Sequence, residues 1–317
     1  MVTTTTCKVL FRPESDALRF LPEGPYSSPD GGMSWVGIQH GGESEVGSVN
    51  VLETATGTNT SFELPGRPGF AFPTSVSGVF VCGVERSLGL YNCGDGSWVE
   101  LVGNVDHQVD NTIINDGVVY QDNLIFGCKE LEFKTKKAGL YLYRGSDKQL
   151  ICLRNDQICS NGKAVISESG VLTLIDIDSP SKTVTKATLD IEGGTLGEQQ
   201  VIVDVTDEEI FPDGMIVTPD GNSVIIAFYD PADPEFGVAR QYGIASGEVE
   251  AIWTCPGSPR VTCPQLVEID GAVCLVLTTA VEHMEADQQA KHAHAGSLFV
   301  GPTTFDRVCD QPIYPLG

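Results

Sequence analysis

Six short polar segments recur along the chain at nearly constant spacing, and no other feature limits the fold so tightly. Glu23 in P-E-G-P, Gly69 in R-P-G-F, Asn115 in I-N-D-G, Asn161 in S-N-G-K, Asp213 in P-D-G-M and Pro264 in T-C-P-Q each lead into an apolar run. These anchors stand 46, 46, 46, 52 and 51 residues apart, and 53 residues follow the last. A repeat of about 40–50 residues, each worth about four strands, is the signature of a β-propeller blade. Six periods predict six blades.

The apolar runs agree with that reading. V-F-V-C-G-V, N-L-I-F-G-C, G-L-Y-L-Y, V-L-T-L-I-D-I, S-V-I-I-A-F and A-V-C-L-V-L-T-T are short and rich in β-branched and aromatic residues. Each is bounded by Gly, Asp, Asn or Pro, the pattern of strands joined by turns. No long stretch spaces its apolar residues as a helix would. The expectation is therefore an all-β chain, with residues 1–317 forming a single six-bladed β-propeller domain around a central channel. A closed propeller must also cover its last strand edge. C-K-V-L-F-R near the start and G-S-L-F-V-G-P near the end are strand-like and are expected to share a terminal blade.

Phase adds chemistry to this count. The inner strand of every blade lines the channel, so equivalent positions converge at one mouth. Glu23, Asn115, Asn161 and Asp213 would then meet, two carboxylates and two carboxamides that together offer only oxygen donors. Such a set suits Ca²⁺, Mg²⁺ or Mn²⁺, and Zn²⁺ also accepts it. The expectation is one axial site for one divalent metal ion.

These residues resemble the SMP-30/gluconolactonase/luciferin-regenerating-enzyme family of six-bladed propellers. The likeness runs from L-P-E-G-P-Y through N-D-G-V-V, C-S-N-G-K and F-P-D-G-M-I-V to R-V-T-C-P-Q and A-G-S-L-F-V. It implies a divalent metal held by Glu23, Asn161 and Asp213. It implies that Asn115 contacts substrate, although the matching residue is a metal ligand in the related squid-type organophosphate-hydrolysing propellers. The chain also departs from the family pattern. Sugar-lactone-hydrolysing members often carry Arg two residues before the Asn of N-D-G, where this chain has Ile113. An acidic substrate contact follows the next strand in the family. Here that segment reads F-G-C-K-E-L-E, which leaves Glu130 or Glu132 as the candidate and Lys129 as an unexpected cation.

The expected activity is hydrolysis of a small-molecule lactone, a sugar lactone foremost, with Asp213 as the catalytic residue that assists proton transfer. An organophosphate or aryl ester is the alternative substrate, and a non-catalytic binding scaffold is the competing class. The second Pro-Asp-Gly of the chain, with Asp220, lies between two apolar runs and is read as a hairpin turn. Nucleophilic chemistry lacks a G-x-S-x-G setting, and Cys159 is read as a buried thiol beside the metal.

Charge and cysteine usage bound the partners. Against 43 Asp and Glu stand 19 Lys and Arg, a net charge of −24. Such a field repels phosphate backbones and anionic membrane surfaces, so neither nucleic acid nor membrane is an expected partner. Ten cysteines show no C-x-x-C and no zinc-finger spacing. With no recognisable signal segment, they point to a reducing, cytoplasmic setting. The chain is expected as a monomer or small homo-oligomer. The run E-H-M-E-A-D-Q-Q-A-K-H-A-H-A-G is read as a solvated loop rather than a second metal site.

Overall fold

The computed structural model describes residues 2–27 and 32–316. Its strands form six sheets that follow one another in chain order. Their first strands are Pro22–Ser27, Pro68–Pro73, Thr112–Tyr120, Ser160–Glu168, Phe211–Val217 and Val261–Ile269. Each of these packs against the first strand of the next sheet, and the sixth packs against the first, which closes a ring. The protein is a six-bladed β-propeller, and these six strands line its axis.

Every inner strand is interrupted by a shift in register at the same level. The shifts fall between Glu23 and Tyr26, Pro68 and Phe70, Ile114 and Gly117, Asn161 and Lys163, Pro212 and Met215, and Val261 and Pro264. The recurring polar segments are therefore β-bulges inside the inner strands, not turns ahead of them. A bulge adds a residue to one strand only, bends it and re-aims its side chains. The glycines serve close approach. A Cβ on Gly69 would lie 2.2 Å from the Asn115 carbonyl oxygen, and one on Gly214 would lie 2.6 Å from Cys263 Sγ. Neighbouring inner strands can converge only where that atom is missing.

Asp220 turns the chain, as its setting predicts. It lies between Phe211–Val217 and Ser223–Tyr229, where its carboxylate accepts from Thr218 Oγ1 at 2.7 Å and Asn222 Nδ2 at 2.9 Å.

Both chain ends hold the ring together. Lys8–Phe11 forms the outer strand of the sixth sheet, with Val9 opposite Phe299, so the two termini share this blade. Thr3–Thr6 pairs in parallel with Val249–Pro256 and extends the fifth sheet. On the inside, Thr262 Oγ1 donates to the Pro22 carbonyl at 2.7 Å and joins the sixth blade to the first. The C-terminal segment crosses the inner strands at the ends opposite the Glu23 level. Arg307 donates to the Pro219 carbonyl, Gln311 to the Leu266 carbonyl, and Tyr26 Oη to the Pro312 carbonyl. Tyr314 is buried and pairs with Thr74. This strap covers one end of the channel and leaves the Glu23 end as the mouth.

Packing between blades is apolar. Phe70, Phe72, Phe126 and Tyr141 form a continuous aromatic contact between the second and third sheets, with ring centroids 4.9 to 6.0 Å apart.

Candidate functional site

Glu23, Asn115, Asn161 and Asp213 occupy the bulge level of the first, third, fourth and fifth inner strands. The last three are buried and Glu23 is partly buried. Burial and repulsion from the Asp213 and Asp116 charges push the Glu23 carboxyl well above the usual carboxylate range. Burial and the Asp116 charge push Asp213 the same way, with Glu282 adding to the effect, while Lys129 and a hydrogen bond from Asn161 pull against it. Carboxylates crowded out of water hold their protons because a charged pair is poorly solvated and self-repelling. A bound cation would reverse that balance.

Both carboxamides are held by their nitrogens. Asn115 Nδ2 donates to the Ser160 carbonyl at 2.9 Å, and Asn161 Nδ2 to Ser179 Oγ at 3.1 Å. Among the described residues neither Oδ1 accepts a hydrogen bond, so the oxygens remain as free acceptors. Among the described residues no three His, Cys, Asp or Glu side chains gather as a metal-ligand cluster. The arrangement is two carboxylates with carboxamide oxygens. Hard oxygen donors, with two crowded carboxyl groups that a cation would allow to ionise, fit a divalent cation of the Ca²⁺ or Mg²⁺ kind.

The structure adds three groups that a reading of separate motifs does not reach, Asp116, Glu282 and Cys263, and it gives Lys129, an unexpected cation in the sequence, a place beside them. Asp116, beside Asn115 in the same bulge, places its charge on both Glu23 and Asp213. Read as part of an N-D-G turn it carries no such meaning, and only the bulge directs it to the channel. Glu282 and Lys129 act on Asp213, and the Cys263 thiol is pushed well up by burial and then by Glu23, Asp116 and Asp213. Burial likewise raises the Cys159 thiol far from its ionising range, which disfavours a nucleophile there.

Glu130 is placed differently. It is buried, and it accepts from Lys134 N at 2.8 Å and Asn111 Nδ2 at 3.2 Å, with Lys137 Nζ 3.9 Å away. Against the upward push of burial, those donors hold its carboxyl below the ordinary range. Its side chain organises the loop that follows the strand. Glu132 is exposed and pairs with Lys134.

The histidine-bearing segment is more ordered than a solvated loop. It contains a short helix, Ala286–Lys291, and His292 is buried against Asp233. Arg260 donates to the Glu282 and His283 carbonyls, and Tyr229 Oη to the Glu282 carbonyl at 2.9 Å. These bonds hold Glu282 where its charge reaches Asp213. A cavity of about 790 Å³ lies elsewhere, between the third and fourth sheets, and none of the clustered residues lines it.

Residues 21–280 match the SMP-30/Gluconolactonase/LRE-like region. The chain belongs to this family. Among solved structures it is similar to a calcium-binding protein, regucalcin, from Agrobacterium tumefaciens, at 20% identity, full coverage of both chains and a TM-score of 0.81. It is also similar to a luciferin-regenerating enzyme, at 18% identity over 97% of this chain and 99% of that one, with a TM-score of 0.76. At such identities the likeness is one of fold. An uncharacterized protein of Sulfolobus acidocaldarius is 28% identical over 167 residues, which are 52% of this chain and 58% of that relative. The family match spans four complete sheets and all of the fifth but Thr3–Thr6, reaches into the sixth, and includes every residue of the carboxylate cluster except Glu282.

Proposed function

We propose that the protein is a divalent-metal-dependent hydrolase that opens a lactone ring, with sugar lactones as the leading substrate class. One observation carries the reading: Glu23, Asn161 and Asp213, spread over nearly two hundred residues of sequence, stand at one level of three inner strands as oxygen donors, the last two buried and Glu23 partly buried. Family membership supports the same activity.

In this reading Glu23, Asp213 and the Asn161 carboxamide oxygen hold the ion, and Asn115 orients the substrate beside it. The ion, when bound, supplies a Lewis acid that polarises the ring carbonyl and makes water more acidic. Asp213 accepts a proton from the attacking water at a carboxylate oxygen and returns it to the ring oxygen as the carbon–oxygen bond breaks. Glu282, whose carbonyl Arg260 and Tyr229 hold, adds a negative charge that acts on Asp213. The thiols of Cys159 and Cys263 stay protonated and exclude water from the back of the site.

Ile113 favours a second substrate class on the same ion. It is buried and apolar where a guanidinium would bind sugar hydroxyls, so aryl esters and organophosphates are the alternative substrates. We also propose that the chain works as one domain in a reducing, cytoplasmic compartment, as a monomer or small homo-oligomer. All ten cysteines are free thiols, and among the described residues no helix is long and apolar enough to cross a membrane.

The test is hydrolysis of aldono-lactones, simple γ- and δ-lactones, aryl esters and organophosphates with Ca²⁺, Mg²⁺, Mn²⁺ or Zn²⁺, before and after EDTA. Metal-dependent turnover that Asp213→Ala abolishes is the expected result. Full activity and metal affinity in that variant would overturn the reading. No bound metal and no turnover would favour a binding scaffold.

A further inference from the structure

Lys129 has a largely covered side chain whose ammonium group has no protein partner among the described residues. Its relative exposure is 9%. Among the described residues its side chain makes no hydrogen bond and no ion pair within 4.0 Å. The stem is covered, but Lys129 Nζ is not among the buried side-chain atoms that lack a partner, so the ammonium reaches the surface of the site and its unpaired charge is open to a ligand.

Its position gives that ligand a place. Lys129 sits at the mouth end of Asn123–Glu130, and its backbone bridges to Cys159, two residues before Asn161. Its charge is felt at Glu23, Asp213 and Cys159. In the antiparallel register Lys129 stands opposite Ile113, so the two side chains share one face of the third sheet. That face therefore offers an apolar surface and one ammonium beside the two carboxylates.

We infer that Lys129 selects substrates bearing a carboxylate group in addition to the bond that is cleaved. This inference rests on the hydrolase reading and names the substrate class within it. A divalent ion on Glu23 and Asp213 cancels their two charges, which leaves Lys129 as a positive point next to the substrate position. One compact ammonium matches a monoanion. A dianionic phosphate would bring a second charge toward Asp116 and Glu282. The net charge of −24 opposes anions at long range, but that field is screened beyond about 8 Å in physiological salt. Contact with the ammonium decides locally.

The test uses matched rings: γ-butyrolactone-γ-carboxylate against its carboxamide as substrates, and tetrahydrofuran-2-carboxylate against its carboxamide as ligands that cannot be hydrolysed. The wild-type protein, loaded with divalent cation, is expected to prefer the carboxylate about 10- to 100-fold, both in kcat/KM and in calorimetric binding, as a charged hydrogen bond does. Lys129→Arg is expected to keep the preference and Lys129→Met to erase it. No preference in the wild type, an unchanged preference in Lys129→Met, or stronger binding of a phosphate-bearing ring would each overturn the inference. Should Lys129→Met not fold, Lys129→Gln takes its place, with loss of the preference expected and an unchanged preference overturning the inference. Turnover of neutral lactones without a carboxylate preference would refute the role of Lys129 and leave the hydrolase reading intact. Absence of all metal binding and turnover would refute that reading, while the calorimetric ratio would still report on Lys129.

Discussion

Replacing Asp213 with asparagine keeps the shape of the side chain and removes one of the two charges that crowd the mouth. The folded-state pKa values of Glu23 and Asp213 both lie well above their unfolded values. The folded protein therefore retains protons that the unfolded chain has released. The stability linked to them is fully present below about pH 4, the unfolded carboxyl range, and is lost as pH rises through the folded values. Each retained proton makes the metal-free protein less stable by up to ~1.4 kcal/mol per pH unit within that window. With 317 residues and an unfolding entropy of ~2.1 cal/mol/K per residue, the chain unfolds with ~0.67 kcal/mol/K. The slope is then about 2 °C per pH unit for each group. A divalent cation at 100 times its dissociation constant restores ~2.7 kcal/mol, or about 4 °C. Calorimetric unfolding between pH 4 and 8, in EDTA and in a Ca²⁺ series, reads both quantities. Asp213→Asn is expected to flatten the pH slope in EDTA and to reduce the Ca²⁺ shift below about 1 °C. Parallel pH profiles in EDTA, or an undiminished Ca²⁺ shift, would show that the two carboxylates share neither a proton nor an ion.

Gly69→Ala places a methyl group 2.2 Å from the Asn115 carbonyl oxygen and is expected to destabilise the protein by about 1–3 kcal/mol in urea unfolding. It should also weaken substrate binding, because Asn115 must move. Tyr314→Ala empties a buried position of the C-terminal strap; a loss of about 3 kcal/mol, measured the same way, is expected, with the Ca²⁺ shift retained. Asp220→Ala removes the turn contacts to Thr218 and Asn222, costing about 1 kcal/mol while lactone turnover is unchanged. A turnover loss there comparable to that of Asp213→Ala would contradict the division between the two Pro-Asp-Gly copies.

Spacing made much of the site legible. Glu23, Asn115, Asn161 and Asp213 share a phase because each blade repeats one backbone path, and the six register shifts fall at or beside the six anchors. The dipeptides Asn-Gly and Asp-Gly misdirect in detail. In a single hairpin they make turns, as at Asp220, but in an inner strand the same small residues permit a bulge and close contact with the next blade. Local sequence does not distinguish the two cases, since the difference is what lies 2–3 Å from the missing Cβ. Asp116 was hidden for the same reason. Glu282 falls outside the repeat, and nothing in its own segment points to the mouth; Lys129 stands out in its segment as an unexpected cation, but the sequence does not say which groups its charge reaches.

The sequence by itself determined the strand content, the number of blades, the phase of the four polar anchors and the pairing of the two chain ends. All of these follow from periodicity, which the backbone must obey wherever the chain runs. Tertiary structure alone decided that Glu130 accepts hydrogen bonds from Lys134 N and Asn111, that the Lys129 charge reaches Glu23 and Asp213, that the segment with Glu282 is held by Arg260 and Tyr229, and that the last residues strap one channel end. Those outcomes depend on which side chains meet across blades, and ring closure brings together residues whose separation in sequence carries no signal of contact.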